Sequence, residues 1–168
     1  GEDEIVLAAH RELLKQYPDA LLILVPRHPE RFNSVFELCQ RQGFSTRRRS
    51  TAEPLQATDQ VLLGDTMGEL LFLYVANGGH NLLEPAALGK PVLSGPHLFN
   101  FLEIAAQLRA AGALSEVADA AALAQCVAQL WREPKAAQAM RMAGEGVMQA
   151  NQGALARLLA GLERLLNK

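Results

Sequence analysis

Apolar residues along the chain alternate between two spacings. From Ile5 to Tyr17 they recur at helical intervals, with Ile5, Leu7, Ala8, Leu13 and Leu14 largely on one side, and Pro18-Asp19 breaks the run. Leu21–Val25 is a short continuous apolar stretch between turn signals, the pattern of a strand buried on both faces of a parallel sheet. Helical spacing resumes over Glu30–Gln42 through Phe32, Val35, Phe36, Leu38 and Cys39, and Gly43 predicts its stop. Phe44–Arg48 reads as a second strand, Ser50–Asp59 as a polar loop, Val61–Leu63 as a third strand and Gly68–Val75 as helix. After Asn77-Gly78-Gly79-His80-Asn81, Leu82–Leu88 is helical, Val92–Ser94 a strand, Leu102–Ala111 a helix stopped by Gly112, and Ala113–Val117 a strand. Asp119 N-caps a helix running to Trp131. Lys135–Gln149 and Ala154–Leu166 predict two further helices, separated by Asn151-Gln152-Gly153.

This alternation predicts an α/β fold: a Rossmann-like, mostly parallel sheet with helices on both faces. Ligands bind outside the carboxyl ends of the strands in such sheets, which directs attention to Pro26-Arg27-His28, Asp65-Thr66-Met67-Gly68 and Gly95-Pro96-His97. The rhythm breaks once. The helix ending near Val75 runs into Asn77-Gly78-Gly79 and a second helix with no strand between them, although a parallel crossover needs one.

Composition narrows the classes. At 168 residues, 49% apolar and 20% charged, the chain can bury one sizeable core and is too apolar for disorder. A net charge of −2 gives no global attraction to nucleic acid, and Arg47-Arg48-Arg49 reads more simply as a solvated strand end. No apolar run is long enough to span a bilayer, and the acidic start Gly1-Glu2-Asp3-Glu4 is unlike a secretory signal. Cys39 and Cys126 read as reduced structural thiols of a cytosolic compartment. The four histidines form no ligand pattern with each other or with cysteine, and no Walker A loop or Gly-x-Ser-x-Gly elbow is present, so neither metal nor cofactor is expected.

The sharpest local signal is Asn77-Gly78-Gly79-His80-Asn81 ahead of a helix. Glycines admit close backbone approach, and a helix N-terminus offers free N–H groups to an anion. Glu84, one turn on, is placed to accept hydrogen bonds from ribose hydroxyls; a plain turn with Asn81 as N-cap fits equally. Arg27 follows a buried strand between Pro26 and Pro29, where its guanidinium can take a phosphate or simply pair with Glu30. Met67-Gly68-Glu69 opens a helix after Asp65-Thr66. There the alternatives are contact with a base or sugar, and ordinary capping by Thr66 or Asp65. From the residues alone, the chain is a phosphate- or nucleotide-binding α/β domain.

Taken together, Leu22–Phe32 (LILVPRHPERF), Gly64–Leu70 (GDTMGEL), Gly78–Pro85 (GGHNLLEP), Gly95-Pro96-His97 with Phe99-Asn100-Phe101, and Asn151-Gln152-Gly153-Ala154 resemble the 3-deoxy-D-manno-octulosonic acid (Kdo) transferases. The resemblance covers nearly the whole chain but only the C-terminal half of such an enzyme. It implies a GT-B glycosyltransferase, with residues 1–168 forming a single Rossmann-like domain that holds the donor CMP-Kdo. By position, it implies Pro26 and Arg27 on the CMP moiety, Met67, Gly68 and Glu69 lining the nucleotide pocket, and Asn81, Leu82, Leu83 and Glu84 bringing a helix N-terminus to the phosphate and Glu84 to the ribose.

The implied reaction moves Kdo to the lipid A precursor, or to a Kdo already attached, with inversion at the anomeric carbon. The base is a glutamate of the N-terminal domain, which lies outside this chain together with the acceptor site and the anchor to the cytoplasmic face of the bacterial inner membrane. No catalytic residue is therefore assigned here, and the chain alone is expected to be soluble and inactive. The resemblance also implies a strand and a Gly-Gly-Ser loop that are missing where the rhythm breaks, near residues 75–77. A Cα step there well above ~3.8 Å would mark residues left out of the numbering, and a normal step a true deletion. Three other readings remain: a UDP-sugar GT-B half, a non-catalytic nucleotide-binding module, and a nucleic-acid binder using Arg47–Arg49.

Overall fold

The computed structural model describes residues 2–66, 82–96, 98 and 102–166, with side chains except for residue 84 and residues 152–166. Its elements, in order, are α1 (Glu2–Leu14), β1 (Leu22–Leu24), a 3-10 turn (Pro29–Arg31), α2 (Phe32–Arg41), β2 (Thr46–Arg48), a second 3-10 turn (Arg49–Thr51) and β3 (Val61–Leu63). Then come α3 (Leu83–Ala87), β4 (Val92–Ser94), α4 (Leu102–Ala110), β5 (Leu114–Glu116), α5 (Ala120–Arg132) and α6 (Pro134–Leu166). Every described strand pairing is parallel, as the uninterrupted apolar runs predict.

Contacts divide the chain into two compact units, residues 1–78 with 117–129 and residues 79–116 with 130–168. The first holds a three-stranded sheet of order β1-β3-β2, with Leu24 and Arg48 both in register with Leu63. Its central strand is buried throughout. Leu7 of α1 and Val35 and Cys39 of α2 pack with Leu24, Phe44, Val61 and Leu63, while Ala9 and Leu13 of α1 meet Ala124 and Ala128 of α5. The second unit pairs β4 with β5. Its core joins Leu82, Ala86, Val92, Leu98, Ala105, Leu108, Ala113 and Leu114.

Helix ends follow local chemistry. α1 starts three residues before the first apolar position because Glu2, Asp3 and Glu4 suit the positive end of its dipole. Gly43 (φ 81°) and Gly112 (φ 77°) adopt the left-handed conformation just after α2 and α4. There the next amide reaches back, Phe44 N–H to Cys39 O at 3.1 Å and Ala113 N–H to Leu108 O at 2.8 Å, satisfying carbonyls the helix leaves open. Asp119 caps α5 as expected, its Oδ1 accepting from Ala122 N–H at 2.8 Å.

Two expectations need correction. The helix expected over Glu30–Gln42 begins as a 3-10 turn, because Pro29 lacks an amide hydrogen and sets φ for a tight first turn. The two C-terminal helices are one, α6, of 33 residues. Asn151 does not turn the chain. Its Nδ2 donates to Val147 O, one turn back, at 2.9 Å and to Gln107 Oε1 of α4 at 3.1 Å. Gly153 costs the helix about 1 kcal/mol, a penalty that neighbouring good helix formers absorb. The helix expected over Gly68–Val75 and the suspected gap at 75–77 lie outside the described residues.

Candidate functional site

The parallel sheet of the first unit sends all three strand exits to one edge. Gly64 N–H donates to Leu24 O at 2.8 Å, so the β1–β3 ladder continues past the last strand residues. Past that bond Asp65 N–H turns back to Leu63 O at 3.1 Å and the pairing ends, with Pro26 and Arg27 following β1 and Asp65 following β3. Pro26 is buried and Arg27 exposed. Pro29 and the 3-10 turn, with Arg31 N–H to His28 O at 2.9 Å, fix the loop behind them.

Arg27 has no hydrogen bond or ion pair among the described residues. The pairing with Glu30 that the sequence left open is not formed; Glu30 instead approaches His28, at 3.8 Å and largely in solvent. The neighbouring cations are committed. Arg31 pairs with Asp3 of α1, whose side chain is 2% exposed. Arg48 Nε donates to Asp65 Oδ2 at 2.6 Å and its Nη1 to Asn33 Oδ1 at 2.9 Å, while its guanidinium lies 5.3 Å from the Phe36 ring centre. Arg47 Nε donates to Asp59 Oδ2 at 2.9 Å and its Nη1 to Glu53. The basic triplet is thus no solvated run: Arg47 and Arg48 are mostly buried and spend their charge inside the fold.

The sequence offered Asp65 as a strand-exit residue and a possible helix cap, but not the partners it takes. Its side chain is fully buried, and it accepts from Ser50 N–H at 2.8 Å, Ser50 Oγ–H at 2.6 Å and Arg48. Burial pushes its carboxyl up, but the hydrogen bonds from Ser50 and Arg48 outweigh that and hold it below its ordinary value. Both its oxygens are engaged on the β2 exit, and the helix start at Met67 that the sequence had Thr66 or Asp65 cap lies outside the described residues. The available signals were an acidic residue directly after a buried strand and a Ser in the loop following Arg48, 15 residues away.

Of the other expected site residues, Leu82 is a core residue of the second unit, and Leu83 and Glu84 begin α3. Met67, Gly68, Glu69 and Asn81, and the side chain of Glu84, lie outside the described residues. His10 sits at the opposite, amino end of the sheet. Its Nε2 hydrogen-bonds Gln60 O at 2.9 Å, and burial pushes its pKa down against that bond. Cys39 and Cys126 are not joined in a disulfide, and burial raises the Cys39 thiol, as suits a structural cysteine. Among the described residues, no cluster of His, Cys, Asp and Glu is arranged to hold a metal, and no helix is long and apolar enough to cross a membrane.

No protein-family model matches the chain. Its structure is similar to the crystal structure of the C-terminal CMP-Kdo binding domain of WaaA from Acinetobacter baumannii, with a TM-score of 0.81 and 34% identity over 88% of this chain and 83% of that one. The chain belongs to the Kdo transferase family. The 3-deoxy-D-manno-octulosonic acid transferase of Haemophilus influenzae is 44% identical over all of this chain and 42% of its own length. That of Bordetella pertussis is 40% identical over 97% of this chain and 42% of its length. A probable mitochondrial member from Arabidopsis thaliana is 30% identical over 99% and 40%. The chain therefore spans about two fifths of the length of these glycosyltransferases, and its α/β architecture is that of the C-terminal half of a GT-B fold.

Proposed function

We propose that this chain is the donor-binding half of an inverting glycosyltransferase that moves Kdo from CMP-Kdo to the lipid A precursor. The observation that carries the reading is the similarity to a CMP-Kdo binding domain along nearly the whole chain. The uncommitted Arg27, on a proline-fixed loop at a strand exit, supports it independently, because that is where an α/β sheet presents an anion site. Pro26 and Arg27 hold the CMP moiety, Arg27 by its phosphate. Met67, Gly68 and Glu69 line the nucleotide pocket, Asn81, Leu82 and Leu83 bring the start of α3 to the phosphate, and Glu84 accepts from the ribose. As the bond from the anomeric carbon to the phosphate oxygen breaks, negative charge grows on departing CMP. A fixed guanidinium favours that state over the bound donor.

The base that takes the acceptor hydroxyl proton belongs to the preceding N-terminal domain, as do the acceptor site and the attachment to the cytoplasmic face of the inner membrane. Residues 1–168 form one nucleotide-sugar domain that lacks a strand and loop near 75–77. In support, the alignment with the Haemophilus protein runs over 181 positions, 13 more than this chain has residues.

Calorimetric titration tests the reading. CMP binds and UMP does not, and Arg27→Ala and Glu84→Ala each weaken CMP by about tenfold or more, as loss of a charge-assisted contact does. Equal binding of UMP would favour a UDP-sugar enzyme, and undiminished CMP binding by Arg27→Ala would remove the assigned phosphate contact.

A further inference from the structure

Helix α3 is too short to hold its own place. It has five residues, Leu83–Ala87, whereas even an isolated helix of about twelve is only marginally stable. Its position is therefore set by what it packs against. Leu82, Pro85 and Ala86, at helical spacing, are buried, while Ala87 and Leu88 are exposed. Behind Ala86 lies Gly144 of α6: a Cβ built there would stand 3.4 Å from Ala86 Cβ and 3.5 Å from its Cα. The turn that ends α3 rests on the same helix. Gly89 takes φ 60° with its N–H donating to Ala86 O at 3.1 Å, and a Cβ on it would meet Glu145 Oε1 at 2.8 Å and Arg141 Cγ at 3.0 Å.

We propose that Gly144 is a positioning residue for the donor: its missing side chain sets how close α3 lies to α6, and so where Glu84, which α3 carries, stands. The proposal deepens the function proposed above and rests on its assignment of Glu84.

The contact has room for one methyl group and no more. At 3.4 Å an added Cβ makes an ordinary van der Waals contact, so alanine fits. A β-branched side chain is stiff at χ1 in a helix and cannot swing both γ carbons aside, so valine presses on Ala86. The short helix yields rather than the long one. α6 runs for 33 residues and is fixed to the core through Ala143, Val147 and Met148 and to α4 through Asn151. Gly146 supplies the internal control, since it is exposed in the same helix and a Cβ on it would meet nothing within 4 Å.

Thermal unfolding and calorimetric titration with CMP, on the same variants, test this. Gly144→Ala and Gly146→Ala each raise the unfolding midpoint by about 3 °C through helix propensity, and leave CMP affinity within about twofold. Gly144→Val weakens CMP by about tenfold, as loss of a hydrogen bond to a charged group does, while Gly146→Val stays within about twofold. In a Glu84→Ala background Gly144→Val costs less than about threefold, because the contact it disturbs is already gone; in an Arg27→Ala background it keeps its full effect. Gly144→Cys, with a single heavy atom beyond Cβ, gives the same pattern at about threefold and serves should the valine variant not fold. A glycine that mattered only for stability would lose affinity equally in both backgrounds, and that result overturns the proposal. Equal losses in Gly144→Val and Gly146→Val, or none in either, overturn it too while leaving the assignment of Glu84 standing. No CMP binding by wild type, or none lost in Glu84→Ala, removes that assignment and this inference with it.

Discussion

In the first unit, cations reach carboxylates that the fold has buried: Arg31 to Asp3, Arg47 to Asp59 and Arg48 to Asp65, whose acidic side chains are 2%, 4% and 0% exposed. In the second unit, the described ion pair, Arg109 with Glu116, is more than a third exposed on both sides. Its cohesion comes instead from close helix packing. A Cβ added at Gly144 of α6 would stand 3.4 Å from Ala86 of α3, and Ala105 and Ala113 are almost fully buried in the same core. The difference teaches where each unit needs precision. Small apolar residues let helices approach closely but orient nothing polar. A buried carboxylate with directed donors fixes one arrangement of the strand exits, which is what a unit presenting a charged side chain requires.

The largest effect should come from the apolar side. Leu108 is fully buried in the second core, and Leu108→Ala should destabilise by about 3 kcal/mol through lost burial and the cavity left behind. The midpoint of denaturant unfolding measures it. A loss below about 1 kcal/mol would mean that this core is not the cohesive element the comparison makes it.

Arg31→Ala probes the polar side. Among the described residues it leaves the buried Asp3 with no counter-ion, and Asp3 Oδ1 already lacks a hydrogen-bond partner there. The expected cost is about 2 kcal/mol, below the range for fully buried pairs because Arg31 itself is half exposed. Asp3→Asn combined with Arg31→Ala should recover part of it. No recovery would place the cost in lost packing of the arginine stem rather than in an orphaned charge.

Acid should act on the first unit through His10. Burial lowers its pKa in the folded protein, so the unfolded chain binds more protons once pH falls through about 6.5. Stability is therefore lost from that pH downward to the folded pKa, at no more than about 1.4 kcal/mol per pH unit for one proton. The depressed Asp65 carboxyl adds its own loss only nearer its ordinary carboxylate range. Comparing unfolding midpoints at about pH 7.5, 5.5 and 3.5 for wild type and His10→Gln separates the two: the variant should lose the slope in the upper window and keep the one below it.

What the sequence made legible were the features with local causes. Val61–Leu63 and Val92–Ser94 are strands of the expected extent, since short apolar runs between turn residues leave little choice. Gly43 and Gly112 end helices because no other residue takes positive φ so cheaply. Arg27 was legible as a candidate because it follows a buried strand directly. Features set by distant partners were not. The Asp65 clasp joins residues 15 and 17 apart in sequence, and only pairing of β2 with β3 brings them together. The triplet Arg47-Arg48-Arg49 reads as a surface run until Asp59 and Asp65 are seen beside it. The break predicted at Asn151-Gln152-Gly153 failed for the same reason. Gln107 of another helix supplies one of the two acceptors for Asn151, a bond no local pattern announces.

The smallest effect completes the comparison. Arg109 and Glu116 pair at the surface of the second unit, joining α4 to β5 across seven residues. Water solvates either group well once its partner is gone, and holding two long side chains in one geometry costs rotamer freedom. Arg109→Ala should therefore change stability by less than about 0.5 kcal/mol, several times less than Arg31→Ala, although both remove one arginine from one carboxylate. The unfolding midpoints of the two variants, measured side by side in 0.05 and 0.5 M salt, give the check: added salt should erase what little Arg109 contributes and leave most of the Arg31 effect in place. Equal losses in the two variants would mean that burial of the carboxylate, on which the contrast between the units rests, does not set the strength of these pairs.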